Sequence, residues 1–94
     1  MLKNIIIRIV RKEDIPQLIT LCVEHATYEN AFYATTGKQD SLLKHLFQKE
    51  NGIQCLVIEH DKVLVGYTSF IKQFSTWDAA FYLYMDCLYL KAAY

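Results

Sequence analysis

Glycine is scarce in this sequence, which has three glycines and one proline among its 94 residues. Gly37, Gly52 and Gly66 stand far apart, so none belongs to a glycine-rich loop of the kind whose backbone amides bind phosphate groups. A net charge is also missing, because ten basic residues balance ten acidic ones without any Lys/Arg-rich run. The balanced charge argues against binding to nucleic acid or to an anionic membrane surface.

Cysteines are too few, and odd in number, for a disulfide framework. Cys22, Cys55 and Cys87 are widely spaced in apolar segments, which predicts reduced thiols and a cytoplasmic location. A long apolar run is missing as well, because Arg8 and Arg11 interrupt the one near the N-terminus. We therefore expect neither a targeting segment nor a membrane span.

Apolar side chains are what the sequence has in quantity. Hydrophobic residues make up 53% of the chain and aromatic residues 14%, far from the polar composition of disordered segments. The length suits one small domain, and no repeat or interdomain linker divides it. The sequence predicts a single domain over residues 1–94.

The beginning of the chain predicts a strand followed by a helix. The β-branched run at residues 5–10 is typical of a strand. Asp14 could cap a helix whose first turn holds Pro16, where proline costs no hydrogen bond. Apolar residues then recur at helical spacing until about Tyr28, so one side of this helix should pack into the core.

A loop and a shorter second helix are expected next. Residues 30–39 mix aromatic and small polar residues without a period, which is typical of a loop. The helix should begin near Asp40, with Asp40 or Ser41 as its cap. It should end at Asn51-Gly52, a pair that tolerates left-handed backbone angles.

The pattern of the remaining chain is that of β-strands. Residues 55–59 predict a strand, residues 60–62 a tight turn, and residues 63–74 a longer returning strand. After a polar break at residues 75–78, residues 79–90 predict a last strand rich in aromatic side chains. The order β-α-α-β-β-β predicts an α+β domain with two helices and a mostly antiparallel sheet.

Asp86 is the one charged residue within the apolar run of the last strand. Strict alternation would place Asp86 on the same face as Tyr82, Tyr84, Leu88 and Leu90, and Cys87 on the opposite face. A carboxylate flanked by tyrosines in a partly desolvated strand would have a raised pKa and could accept a proton from a bound amine. The structural alternative is that Asp86 accepts hydrogen bonds from tyrosine hydroxyls or a helix end, or lies where the strand meets water.

Three segments, taken in order, resemble a known enzyme family. They are Ile7-Arg8-Ile9 followed by Glu13-Asp14, then Val65-Gly66-Tyr67, then the segment from Leu83 to Tyr94. Their order and spacing resemble the GNAT N-acetyltransferases over nearly the whole chain. Within that superfamily, Tyr28-Glu29, Phe74-Ser75-Thr76-Trp77 and Leu83-Tyr84-Met85-Asp86 are most similar to the polyamine or diamine branch.

The resemblance implies roles for particular residues. Asp86 would deprotonate the substrate amine, and the backbone amides of Leu88 and Leu90 would polarise the acetyl carbonyl and bind the pantetheine arm of acetyl-CoA. The residues implied to line the amine pocket are Tyr28, Glu29, Trp77 and Tyr84. For the first three, structural roles are at least as good an explanation: helix-end packing for Tyr28, a solvated charge for Glu29 and a hairpin plug for Trp77.

In the family, a pyrophosphate-binding loop at a helix N-terminus would follow Tyr94, the last residue of the sequence. The resemblance thus implies a domain truncated before that loop and inactive alone. The last strand, apolar on both faces and unpaired at its edge, predicts a homo-oligomer. Two alternatives remain: a non-catalytic module that self-associates or binds a partner, and a domain of unrelated function.

The histidines give no sign of a metal site. His25, His45 and His60 fall in the first helix, the second helix and the hairpin turn, without the spacing of metal ligands. We expect all three at the surface. Cys87 has the character of a small core residue rather than of a nucleophile.

Overall fold

A computed structural model describes residues 4–48 and 53–94 of the chain. Four strands form one antiparallel sheet in the order β1-β2-β3-β4. The elements are β1 (Ile5–Ile9), a short 3-10 helix (Lys12–Asp14), α1 (Ile15–Tyr28), α2 (Lys38–Leu46), β2 (Ile53–His60), β3 (Val63–Ser75) and β4 (Ala80–Leu90). The predicted α+β class and element order are confirmed.

The start of α1 agrees with the prediction in position but not in its cap. Pro16 lies in the first turn, and Asp14 occupies the N-cap position without a capping hydrogen bond to the helix. Its carboxylate instead accepts hydrogen bonds from the Arg8 guanidinium, at 2.7 and 2.9 Å, and from the Arg11 backbone N–H at 2.7 Å. Since Arg8 also donates to Glu59 at 2.8 Å, the carboxylate belongs to an ion-pair network between β1 and β2.

The second helix begins earlier than predicted. α2 starts at Lys38, and its N-cap is Gly37, whose φ of 77° is left-handed. Asp40 and Ser41 lie inside the helix, so the prediction that one of them is the cap is wrong. Glycine reaches this backbone region at no steric cost, and the chain changes direction there from the loop into α2. The predicted end at residues 51–52 lies outside the described residues.

β2 and β3 form the predicted hairpin, with Asp61 and Lys62 as its two turn residues. Both have positive φ angles, 51° and 69°, as a type I′ turn requires. Past the turn, a Cβ built on Gly66 would come within 2.9 Å of the Tyr89 carbonyl oxygen of β4. The lack of a side chain at Gly66 therefore lets β3 and β4 lie close together.

A β-bulge interrupts the alternation of β4. Ser69 of β3 pairs with Cys87 and Phe70 pairs with Met85, which leaves Asp86 as the extra residue. Because a bulge adds one residue to one strand, the side-chain phase reverses across it. The prediction from strict alternation that Asp86 and Cys87 lie on opposite faces is therefore wrong, as is the grouping of Asp86 with residues 88 and 90.

Both helices pack on one face of the sheet. Leu18 and Leu21 of α1 are buried against Cys55 and Val57 of β2 and Tyr67 of β3. Cys87 and Tyr89 of β4, together with apolar residues of α2, pack around this core. No helix within residues 4–48 and 53–94 is long and apolar enough to cross a membrane.

The opposite face of the sheet is apolar and exposed. The register places alternate residues of all four strands on this face. In β4 they include Met85 before the bulge and Leu88 after it. We call this surface the outer face and define it by its large exposed residues, which are Ile7, Ile9, Val63, Phe74, Phe81, Leu83, Met85, Leu88 and Leu90.

Candidate functional site

A cavity of about 400 Å³ lies between the helices and the sheet. α1, the loop after it and α2 form one side, and β2, β3 and β4 form the other. Most of its lining is apolar, as in small-molecule sites generally. The polar groups are few, and those that carry oxygen or an imidazole are His25, Glu29, Tyr33, Tyr67, Ser69 and Asp86.

Asp86 lines this cavity because of the bulge in β4. Cys87 lines it as well, and its thiol lies 3.7 Å from Oδ2 of Asp86. The expected desolvation of Asp86 is not found, since the residue is exposed to solvent. Asp86 therefore presents its carboxylate at the open side of the cavity rather than in its interior.

His25 is a cavity residue that the sequence argument missed. Its Nδ1 lies 2.8 Å from the Tyr67 hydroxyl, and its ring stacks on Tyr89 with centroids 5.1 Å apart. Only 20% of the side chain is exposed, so the expectation of a surface histidine is wrong. A signal was present, because residue 25 lies three positions after Cys22 and directly before Ala26, and both belong to the apolar residues that recur at helical spacing in α1.

Glu29, His25 and Tyr67 form a short polar row along the cavity wall. Burial raises the pKa of the Tyr67 hydroxyl, so the hydroxyl keeps its proton and can either donate to Nδ1 of His25 or accept from it. On the other side of the ring, Nε2 of His25 lies 3.5 Å from Oε1 of Glu29. The row runs from the buried hydroxyl to a carboxylate that is 60% exposed.

All three cysteines of the chain line the cavity. Cys22, Cys55 and Cys87 come from α1, β2 and β4, and none forms a disulfide. Burial raises the pKa of Cys55 to about 12 and also raises that of Cys87, so neither is a thiolate at neutral pH. Among the described residues, no group of three or more His, Cys, Asp or Glu side chains could hold a metal ion.

The other predicted site residues lie in different places. Glu29 lines the cavity, whereas Tyr28, Trp77 and Tyr84 do not. Tyr28 is 78% exposed and Trp77 is 95% exposed at the tip of the β3–β4 hairpin. The side chains of residues 88 and 90 belong to the outer face, so only their backbone could serve a ligand at the edge of β4.

No family model and no curated protein matches this sequence. Solved structures with a similar fold were found. A possible acetyltransferase from Clostridium difficile 630 has a TM-score of 0.73 at 20% identity, with 98% of this chain and 60% of that chain covered.

Two further structures show the same likeness. A ribosomal-protein-alanine N-acetyltransferase from Brucella melitensis biovar Abortus 2308 has a TM-score of 0.68 at 18% identity, with 96% of this chain and 58% of that chain covered. An aminoglycoside acetyltransferase from an uncultured soil metagenomic sample, in complex with trehalose, has a TM-score of 0.74 at 17% identity and the same two coverages.

The chain spans about 60% of the length of the solved structures that it matches. Over that span the likeness covers both helices and all four strands, since nearly every residue of this chain is included. At such low identity the likeness concerns the backbone and not the side chains of the cavity. The chain has the fold of GNAT-type acetyltransferases.

Proposed function

We propose that this chain takes part in transferring an acetyl group from acetyl-CoA to a small primary amine. The observation that carries the proposal is a mostly apolar cavity with the Asp86 carboxylate at its open side, in a fold shared with acetyltransferases. An apolar cavity with few polar groups suits a small organic molecule. A carboxylate at its mouth suits the ammonium form of an amine.

Asp86 has the role of proton acceptor in this proposal. A bound ammonium group gives one proton to the carboxylate, and the free amine then forms a C–N bond at the acetyl carbonyl while the C–S bond of the thioester breaks. The attacking nitrogen loses a second proton, the thiolate of CoA takes up one, and CoA leaves as the free thiol. Acetyl-CoA supplies the activated acetyl group for this step. The backbone amides of Leu88 and Leu90 would polarise its carbonyl and bind the pantetheine arm.

The chain has a surface that suits such an arm. β4 is the last strand of the described sheet, so one edge of its backbone has no strand beside it there. An extended ligand can add to an open strand edge through backbone hydrogen bonds. Residues 88–90 lie on this edge next to the bulge that carries Asp86.

The finer proposal is a polyamine-like acceptor. The two carboxylates of the cavity lining, Glu29 and Asp86, would bind two ammonium groups, and the apolar lining would contact the methylene chain between them. Tyr28, Trp77 and Tyr84 would contact only a substrate that extends beyond the cavity.

Calorimetric titration of the 94-residue chain with acetyl-CoA is the first test. Saturable binding at micromolar concentration would support the proposal. The absence of binding would contradict acetyl transfer by this chain alone and would favour the second candidate below.

The role of Asp86 is tested by Asp86→Asn in protein saturated with acetyl-CoA. Because the amide cannot accept the proton, we expect kcat for spermidine acetylation to fall by about 100-fold or more while the circular dichroism spectrum is unchanged. Asp78→Asn, at an exposed position on the hairpin tip, should behave as the unmodified chain. Full turnover by Asp86→Asn would remove the general-base assignment.

The second candidate is a non-catalytic module that self-associates or binds a partner. The observation that favours it is the exposure of β4, where every residue from 80 to 86 is exposed. In this case acetyl-CoA would not bind, and Asp86→Asn would change nothing measurable.

A further inference from the structure

His25 has partners at both ring nitrogens and on a face of its ring. Nδ1 lies 2.8 Å from the Tyr67 hydroxyl, and Nε2 lies 3.5 Å from Oε1 of Glu29. The ring stacks on Tyr89 and meets the Tyr67 ring edge-on, with centroids 5.1 and 5.9 Å apart. Because Tyr67 is 5% exposed and belongs to the core, it fixes the position of the imidazole from the sheet side.

These contacts suit the imidazole in either charge state. A tyrosine hydroxyl can donate to an unprotonated Nδ1 or accept from a protonated one, so this hydrogen bond is kept when the ring gains a proton. The positive charge of the protonated ring is stabilised on the other side by the Glu29 carboxylate. Histidine is the side chain that ordinarily changes its charge between pH 5 and 8. The row can therefore take up one positive charge without losing a hydrogen bond.

The charge of His25 matters because the cavity lining carries few charges. Among the described residues that line the cavity, Glu29 and Asp86 are the acidic ones, and none is a Lys or Arg. The two carboxylates give the lining a formal charge of −2, and a proton on His25 changes it to −1. One proton thus removes half of the negative charge that a cationic ligand would meet.

The other titratable groups around His25 are thiols and phenols, which as a class lose their protons above pH 8. They come from every element packed against the ring and are Cys22 on α1, Cys55 on β2, Tyr67 on β3, Cys87 and Tyr89 on β4, and Tyr33 in the loop after α1. Glu24, the residue before His25, pairs with Lys91 at 3.8 Å, and neither of them lines the cavity. Glu29 is therefore the carboxylate that responds directly to a proton on His25.

We propose that His25 determines the specificity of the cavity, which binds a diamine when the imidazole is neutral and only a monoamine when it is protonated. The inference rests on the proposed amine acceptor and deepens it. A second ammonium group and the proton of His25 compete for the Glu29 carboxylate, because two positive charges side by side in a partly buried site repel each other. Asp86 stays available to one ammonium group in both states.

Calorimetric titration of the chain with putrescine and with butylamine, at about pH 7.5 and 5.5, tests the proposal. Both amines have the same alkyl chain and stay protonated in this range, so they differ only in the second ammonium group. A competing proton with the ordinary imidazole midpoint near pH 6.5 weakens binding about tenfold between the two pH values. We expect the dissociation constant of putrescine to rise about tenfold at the lower pH, and that of butylamine to change by less than about threefold.

Glu29→Gln and His25→Gln each remove one member of the competing pair. Glu29 is 60% exposed, so its replacement should leave the fold intact. In Glu29→Gln we expect putrescine to bind no more than about threefold more tightly than butylamine at either pH, since one carboxylate remains. In His25→Gln the affinity for putrescine should no longer change between the two pH values.

His60→Gln is the matched control. His60 also has a tyrosine hydroxyl at Nδ1, that of Tyr94, and a carboxylate near Nε2, that of Asp61 at 3.4 Å, but it does not line the cavity. This variant should keep the tenfold change with pH. A change that disappears in His60→Gln and persists in His25→Gln would overturn the proposal.

Proton NMR of the histidine Cε1–H signals gives a readout that needs no substitution at His25. Near pH 6.5, saturation with putrescine should move the His25 signal towards its position in the neutral ring, whereas butylamine should leave it in place. A His25 signal that does not respond to bound putrescine would overturn the competition. Binding of both amines with equal dependence on pH would overturn the role of His25 alone, whereas binding of neither amine would contradict the proposed amine acceptor itself.

Discussion

At the scale of single residues, the Asp14 carboxylate binds a side chain of β1 instead of capping the helix that follows it. Its position favours capping α1, but Arg8 donates two hydrogen bonds to it and the Arg11 backbone donates a third. The hydrogen bonds from Arg8 are the main cause that holds the pKa of Asp14 below its usual range, and burial opposes them. Both side chains are largely removed from water, with exposures of 15% for Arg8 and 7% for Asp14.

This network predicts a loss of stability in acid. Because the folded-state pKa of Asp14 is lowered, its contribution is fully present above the ordinary carboxyl pKa of about 3.9 and is lost as pH falls through the lowered value. Asp14→Asn should lower the free energy of unfolding at pH 7 by about 2 kcal/mol, since Arg8 keeps Glu59 as a partner.

Urea denaturation of Asp14→Asn between pH 7 and pH 2 measures this effect. The variant should depend less on pH than the unmodified chain, and Asp78→Asn should keep the full dependence. If the free energy of unfolding depended on pH equally in all three proteins, Asp14 would not be the cause of this loss of stability in acid.

At the scale of elements, the hairpin turn between β2 and β3 holds avoidable strain. Lys62 has a φ of 69° although its side chain disfavours the left-handed region. Lys62→Gly should raise the free energy of unfolding by about 0.5–1 kcal/mol, because relief of the strain exceeds the added entropy of the unfolded glycine.

Thermal denaturation of Lys62→Gly and Asp61→Gly provides the comparison. Asp61 has a φ of 51°, and aspartate tolerates this region better than lysine, so its replacement should gain less. A lower melting temperature for Lys62→Gly than for the unmodified chain would contradict the argument.

The elements themselves could be predicted from the sequence because their signals are local. The β-branched run of β1, Pro16 in the first turn of α1 and the turn before β3 each identify an element without reference to the rest of the chain. What could not be predicted depends on contacts distant in sequence. The bulge at Asp86 arises only from the pairing of β4 with β3, and the place of His25 in the cavity depends on Tyr67, 42 residues away.

At the scale of the whole molecule, the fold has one covered face and one exposed face. The core lies between the helices and the sheet, and the opposite side of the sheet carries large apolar side chains in contact with solvent. Anything that covers the outer face adds to the stability of the folded chain, since the unfolded chain has no such surface to cover.

The bulge in β4 also affects how this strand must be aligned with other sequences. Residues 80–85 and residues 87–90 follow opposite phases of side-chain alternation. In an ungapped alignment with a strand that lacks the bulge, the helix-side residues in one half of β4 are therefore matched with outer-face residues of that other strand. A single-residue gap at Asp86 restores the match on both sides. Substitution patterns on β4 are therefore interpretable only when its two segments are treated as separate blocks.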